Sequence, residues 1–297
     1  MAHVRRQRWA GAITVALLLV ACSSSGSTKQ ATASTDANGQ PVSTSVVVGP
    51  DGSSSVVTVP SGGGPNGTSA PSSSSNDGGA PQATLDGSGP VGSFAPAILQ
   101  SGLSSDVVVE VRTQSGAAPQ QASIDHLTSV LRTVTGKTVT VTGGSGVDGG
   151  AQDWTADALR STGNGGAAQG NGRAVLHLLF VHGTFGGDQS VLGVSVQGDV
   201  AAVFVDQVSA SSTPLVGSTG IETAVVTHEV GHLMGLVDLY LHTGRQDPDH
   251  PGHSTDTKSV MYWAVESNLV SQLLQGGPPN NFDSADLADL QTIRNGG

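Results

Sequence analysis

Two histidines four residues apart, with a glutamate beside the first, carry the clearest chemistry in this chain: His228-Glu229-Val230-Gly231-His232. With 9 His in 297 residues, such a pattern arises by chance only about 0.004 times, so it is read as built. On a helix, a spacing of four is a little more than one turn, and both imidazoles leave the same face. Two imidazoles so placed can chelate one Zn²⁺. Glu229 stands beside them and has no need to bind the metal itself. Zinc lowers the pKa of water from roughly 15.7 to about 7, and a neighbouring carboxylate can take the proton as that water attacks a carbonyl. A catalytic zinc also needs a third protein ligand and one open position. Gly235 is where the chain can leave the helix through a left-handed turn and bring that ligand back.

The third ligand has more than one candidate. Asp238 follows Gly235 by three residues and His253 by eighteen, and His250 and His242 lie between them. His253 is the favoured ligand, with Asp238 as the main alternative. From His253 the chain reaches Met261 in eight steps, within Ser259-Val260-Met261-Tyr262-Trp263. This register resembles the metzincin clan of zinc peptidases, matrixins above all, in which the third zinc histidine precedes the methionine of a Met-turn. Asp238 as ligand would suit snapalysin-like metzincins, and Gly235 to Tyr240 is also similar to immune-inhibitor-A-type peptidases. A closer resemblance is to bacterial lipoprotein metzincins with a His-Gly-x-His-Cys…Cys-x-Met-Tyr-Trp segment. Here that segment is His250-Pro251-Gly252-His253-Ser254…Ser259-Val260-Met261-Tyr262-Trp263, with serines at the two cysteine positions. The resemblance implies an insertion over 236–252, a Met-turn at Met261 and no disulfide at 254 and 259. Tyr262 directly follows the methionine, so it is read as packing or as substrate-pocket wall, and not as a ligand.

The elements that must hold these residues are legible in outline. Thr219 and Glu222 form a capping-box pattern, so the metal helix is expected to start with Thr219 as N-cap. Ile221, Val225, His228 and His232 fall on one stripe of it. Strands are expected at 107–111, 138–142, 174–182, 191–197 and 200–208, and helices at 122–134, near 155–160 and at 283–293. The resemblance implies an α+β, metzincin-like fold. That fold has a twisted, mostly parallel five-stranded sheet with an antiparallel edge strand, a zinc-site helix, a Met-turn and a C-terminal helix. In it, 191–197 would be the edge that grips an extended peptide by strand addition.

The rest of the chain bears on location. Arg5, Arg6 and Arg8 precede a short apolar run ending in Leu19-Val20-Ala21-Cys22. This has the form of a secretory signal and resembles a bacterial lipobox, with Cys22 as the lipidated residue. Cys22 is the single cysteine, so no disulfide framework is available. Residues 1–21 are thus expected to be a lipoprotein signal peptide, 22–92 a tether and 93–297 the catalytic domain. Ser, Gly, Thr and Pro supply 44 of residues 23–92, too few apolar groups to offset chain entropy, so a flexible coil is expected there. Two Val-rich runs between 43 and 59 could form a transient hairpin.

From Gly92 on, 8 Lys and Arg face 19 Asp and Glu, which argues against nucleic acid as a partner. The expected protein is a monomeric zinc endopeptidase, lipid-anchored outside the cytoplasm in a bacterial cell envelope and acting on protein or peptide. Two rivals remain open: a non-catalytic binding lipoprotein with a structural zinc, and an amide hydrolase acting on peptidoglycan.

Overall fold

The structure, a computed structural model, describes residues 34–35, 41–48, 54–60, 85–268 and 277–297. The expected signal segment 1–21 and the expected lipidation site Cys22 lie outside the described residues. Within the stretch expected to be a tether, the Val-rich runs are strands β2 (Pro41–Val48) and β3 (Ser54–Pro60), joined by β1 (Ser34–Thr35) in a sheet of order β1-β2-β3.

The next segment is anchored to the domain earlier than residue 93. Gly87 is buried with φ of +77°, and a Cβ there would run into the Asp199 carboxylate. Helix α1 (Ala95–Leu99), not expected from the sequence, follows and is buried throughout.

Five strands form the central sheet. β4 (Asp106–Thr113), β5 (Thr138–Gly143), β7 (Arg173–Val181) and β10 (Val200–Phe204) run parallel, and β9 (Gly193–Gln197) pairs antiparallel with β10. The order is β5-β4-β7-β10-β9, so β9 is an edge. β6 (Gln152–Trp154) and β8 (Gly183–Phe185) form a small parallel pair beside it. β7 lies at the centre and is buried from Ala174 to Val181, which is why it reads as a continuous apolar run and not as an alternating one. Its residues divide by parity. Leu176, Leu178 and Phe180 face the larger core under helices α2 (Gln121–Thr135), α5 (Ser218–Leu233) and α6 (Ser284–Arg294). Leu179 and Val181 face a smaller core under α3 (Ala156–Asn164).

A buried cluster of ionisable side chains lies on the α3 side of the sheet. His177 Nδ1 is 2.8 Å from Glu110 Oε2, and His177 Nε2 is 3.8 Å from Asp199 Oδ2. Gln169 and Gln197 donate to Asp199, and the Ala167 amide donates to Glu110. All three ionisable residues are almost fully buried.

Two expectations are corrected. The strand expected over 200–208 stops at Phe204, and α4 (Val205–Ala210) takes over. Asp206 in its first turn accepts from the Gly183 amide and pairs with His182, while Val208 fills the core from a helix. The apolar run from Val200 to Val205 crosses the end of the strand without a break, so the change of backbone geometry was not visible. The helix carrying the motif is capped by Gly217, not Thr219, and has no side-chain cap. Glu222 instead accepts from the Gln120 amide at 2.6 Å, at the N-terminus of α2. A carboxylate is favoured there by the exposed amides and the helix dipole. By contrast, Asp283 and Asp286 do form the capping box of α6. Among the described residues, no helix is long and apolar enough to cross a membrane.

Candidate metal centre

α5 is buried on every side from Ile221 to Leu233, not along one seam. The sheet covers one flank, and α2, α4 and the 3-10 turn Trp263–Glu266 cover the others. From this helix His228 and His232 project together, their rings edge to face at 4.6 Å and their Nε2 atoms 2.9 Å apart. His228 Nδ1 lies 2.7 Å from the Val260 carbonyl. A carbonyl only accepts, so Nδ1 carries the proton and Nε2 presents its lone pair to the site.

The helix ends at Leu233 with Met234 as its C-cap, and Gly235 turns with φ of +80°. A Cβ at Gly235 would approach Tyr240 Cβ to 2.5 Å and Ala95 Cβ to 3.0 Å, so both conformation and space call for glycine. The chain then loops out and returns through His253. Main-chain bonds fix the return: Asp247 N to His253 O at 2.7 Å, and Ser254 N to Met261 O at 2.8 Å. The second bond ties the third histidine to the Met-turn. His253 stacks on His228 at 5.2 Å and meets His232 edge-on at 5.0 Å.

Asp238 lies outside this cluster. Its carboxylate accepts from the Thr243 amide, the Thr243 hydroxyl and the Gln246 amide. Burial pushes its pKa up, but these hydrogen bonds outweigh burial and hold it below the usual carboxylate value. Asp238 therefore shapes the start of the loop. His250 stacks on Trp263 at 4.2 Å, and His242 is exposed. Neither joins the cluster.

Met261 is fully buried beneath the motif helix, and a Cβ at Gly231 would run into its Sδ. The glycine inside the motif thus makes room for the methionine. Tyr262 is half-buried against the core. The Met-turn is also wired to α6: the Met261 amide donates to Ser259 Oγ, and Ser259 Oγ donates to Asp286 Oδ2 at 2.6 Å. Burial raises the Asp286 pKa to about 6.

Two site residues escaped the sequence reading. Ser195 on β9 donates to Glu229 Oε2 at 2.8 Å. Gly193, also on β9, leaves space where a Cβ would come within 2.7 Å of Glu229 Oε1. The alternation of Gly193 and Ser195 toward one face was the available signal. The second is Glu266, whose Oε1 lies 3.2 Å from His253 Nε2 and whose Oε2 lies 3.6 Å from His228 Nε2. Nothing local marks it, although the chain has only four glutamates.

One donor atom from each of His228, His232, His253 and Glu266 lies within 4.8 Å of the others. Several buried polar atoms here have no hydrogen-bond partner: Glu229 Oε1, His232 Nδ1 and both ring nitrogens of His253. The His253–Glu266 approach is close, but outside hydrogen-bond geometry. Burial, then the neighbouring His228 and His253, push the His232 pKa well down, so its ring is neutral and free to act as a ligand. Burial, then the charge of Glu266, push the Glu229 pKa well up, against the Ser195 hydrogen bond. Converging imidazole nitrogens with facing lone pairs and adjacent carboxylates fit zinc, which takes nitrogen and oxygen donors in compact sites.

No protein-family model matches this chain, and no curated protein matches it. Among solved structures it is similar to an archaemetzincin from Methanopyrus kandleri, at 21% identity and a TM-score of 0.46, covering 64% of this chain and 96% of that one.

Proposed function

We propose that this chain is a zinc-dependent endopeptidase of the metzincin kind. The observation that carries the reading is the placement of Glu229: a fully buried carboxylate with one oxygen unpartnered, next to three converging imidazoles. A purely structural metal site has no use for such a group, and burying it costs free energy. His228, His232 and His253 would hold the metal. Zinc bound there supplies Lewis acidity toward water and toward the scissile carbonyl.

Glu229 serves as general base. Ser195 holds its Oε2 in place and leaves Oε1 to receive the proton. In the later step the same carboxyl can return that proton to the leaving amine. β9 is an antiparallel sheet edge directly beside Glu229, so an extended peptide added to it would be held by main-chain hydrogen bonds next to the base. In this reading Cys22 carries a lipid anchor, and the enzyme works at the outer face of a bacterial membrane.

A second reading has one observation in its favour. Glu266 supplies a fourth protein donor, and closed four-donor sets are characteristic of structural zinc. The deciding experiment is Glu229→Gln in the zinc-loaded full-length chain, assayed on a broad peptide panel. The substitution should keep the metal and cut hydrolysis by about 10² or more. A wild type that cleaves no peptide or cell-wall substrate would favour the structural reading.

A further inference from the structure

We infer that Glu266 is a displaceable fourth metal donor, filling in the resting protein the position that hydrolysis needs open. The inference rests on the hydrolytic reading of the three-histidine site.

The choice of atoms decides between a donor and a mere orienting group. A carboxylate that orients a ligand histidine meets the ring nitrogen turned away from the metal. For His228 that nitrogen is Nδ1, already held by the Val260 carbonyl. Glu266 instead approaches Nε2 of His228 and Nε2 of His253. His228 Nε2 is the atom that faces His232 Nε2. Glu266 therefore points into the space the imidazoles enclose, not at their backs.

Its backbone is fixed as well. The Leu192 amide donates to the Glu266 carbonyl at 2.8 Å, and the Asn268 amide donates to the Ser190 carbonyl at 2.8 Å. Val191 and Ser267 form an antiparallel bridge just ahead of β9. Ala264 and Val265, on the same turn, are buried. The carboxylate is delivered by an anchored turn, not by a free surface side chain.

Its exposure makes displacement possible. The Glu266 side chain is 31% exposed, while His228 is at 0% and His253 at 12%. Glu266 thus closes the site on its solvent side. Its turn is anchored next to the strand along which an extended peptide would lie, so substrate arriving there meets the stopper. A ligand that binds only when Glu266 is displaced loses apparent affinity in proportion to the rarity of that state.

The test uses the full-length chain loaded with Co²⁺, whose visible spectrum reports coordination, and acetohydroxamate as a small chelating probe. Glu266→Ala should change the cobalt spectrum and weaken metal retention by about tenfold or more. It should also tighten acetohydroxamate binding by about tenfold, as expected if the open form is a minor state in the wild type. Glu266→Gln keeps the size of the side chain with a weaker donor and should fall between. Identical spectra and probe affinities in wild type and Glu266→Ala overturn the inference, and the hydrolytic reading then still stands or falls on Glu229→Gln. A Gln variant indistinguishable from wild type beside a shifted Ala variant traces the effect to packing and also overturns it. A changed spectrum with no probe binding and no hydrolysis by either form makes Glu266 a permanent structural ligand, which ends both readings.

Discussion

Asp286 links the stability of this protein to pH through the Met-turn. Its carboxylate accepts from Ser259 Oγ and from the Asp283 amide. Its pKa in the folded chain is raised from 3.8 to about 6, chiefly by burial, with Asp283 adding to the rise. A carboxyl that binds its proton more tightly when folded favours the folded state at low pH. That advantage is full below pH 4 and is lost as pH rises through 6. The shift is about two units, and each unit is about 1.4 kcal/mol, so ionised Asp286 costs roughly 3 kcal/mol at neutral pH. Asp286→Asn keeps an oxygen for Ser259 and Asp283 but cannot ionise. The difference in stability, variant minus wild type, should therefore grow by about 2–3 kcal/mol between pH 4 and pH 7. Urea unfolding of the chelator-treated chain, followed by tryptophan fluorescence, measures it. Titrating groups that do not interact with Asp286 are common to both proteins and cancel in the difference. A difference that stays flat across this range, or that changes with the opposite sign, refutes the assignment.

Other outcomes follow from the same geometry. His253→Ala should abolish stoichiometric zinc in elemental analysis, whereas Asp238→Ala should keep zinc and loosen the loop it organises; the reverse pattern would move the third ligand to Asp238. His177→Ala leaves Glu110 and Asp199 buried without their shared partner and should cost about 3–5 kcal/mol in denaturant unfolding. A loss below about 1 kcal/mol would mean that solvent reaches the cluster. Cys22→Ser should remove any lipid mass and leave the chain in the aqueous phase of a detergent split. A wild type already in the aqueous phase, with unmodified Cys22, rules out the anchor.

What the sequence by itself determined is the short-range chemistry. Helical spacing alone puts His228 and His232 on one face with Glu229 beside them, because four residues nearly close a turn in any helix. The left-handed turn at Gly235 was legible for the same reason, since backbone stereochemistry acts within a few residues. The parallel strands β4 and β7 announced themselves as β-branched and apolar runs. Pattern failed where one composition serves two geometries. The run after Val200 continues apolar through a strand and into a helix, and Thr219 with Glu222 has the form of a capping box while Glu222 serves another helix.

Only the tertiary structure decided which residues complete the site. His253 and Asp238 were both admissible by spacing. The Ser254–Met261 pairing brings His253 onto the motif helix, while Asp238 is used up by Thr243 and Gln246. Ser195 comes to Glu229 from 34 residues away, and Glu266 reaches His228 through a turn anchored to the approach of β9. No periodicity encodes such encounters. They depend on where sheet, helix and loop close on one another, and that is fixed by burial of the whole core rather than by any local run of residues.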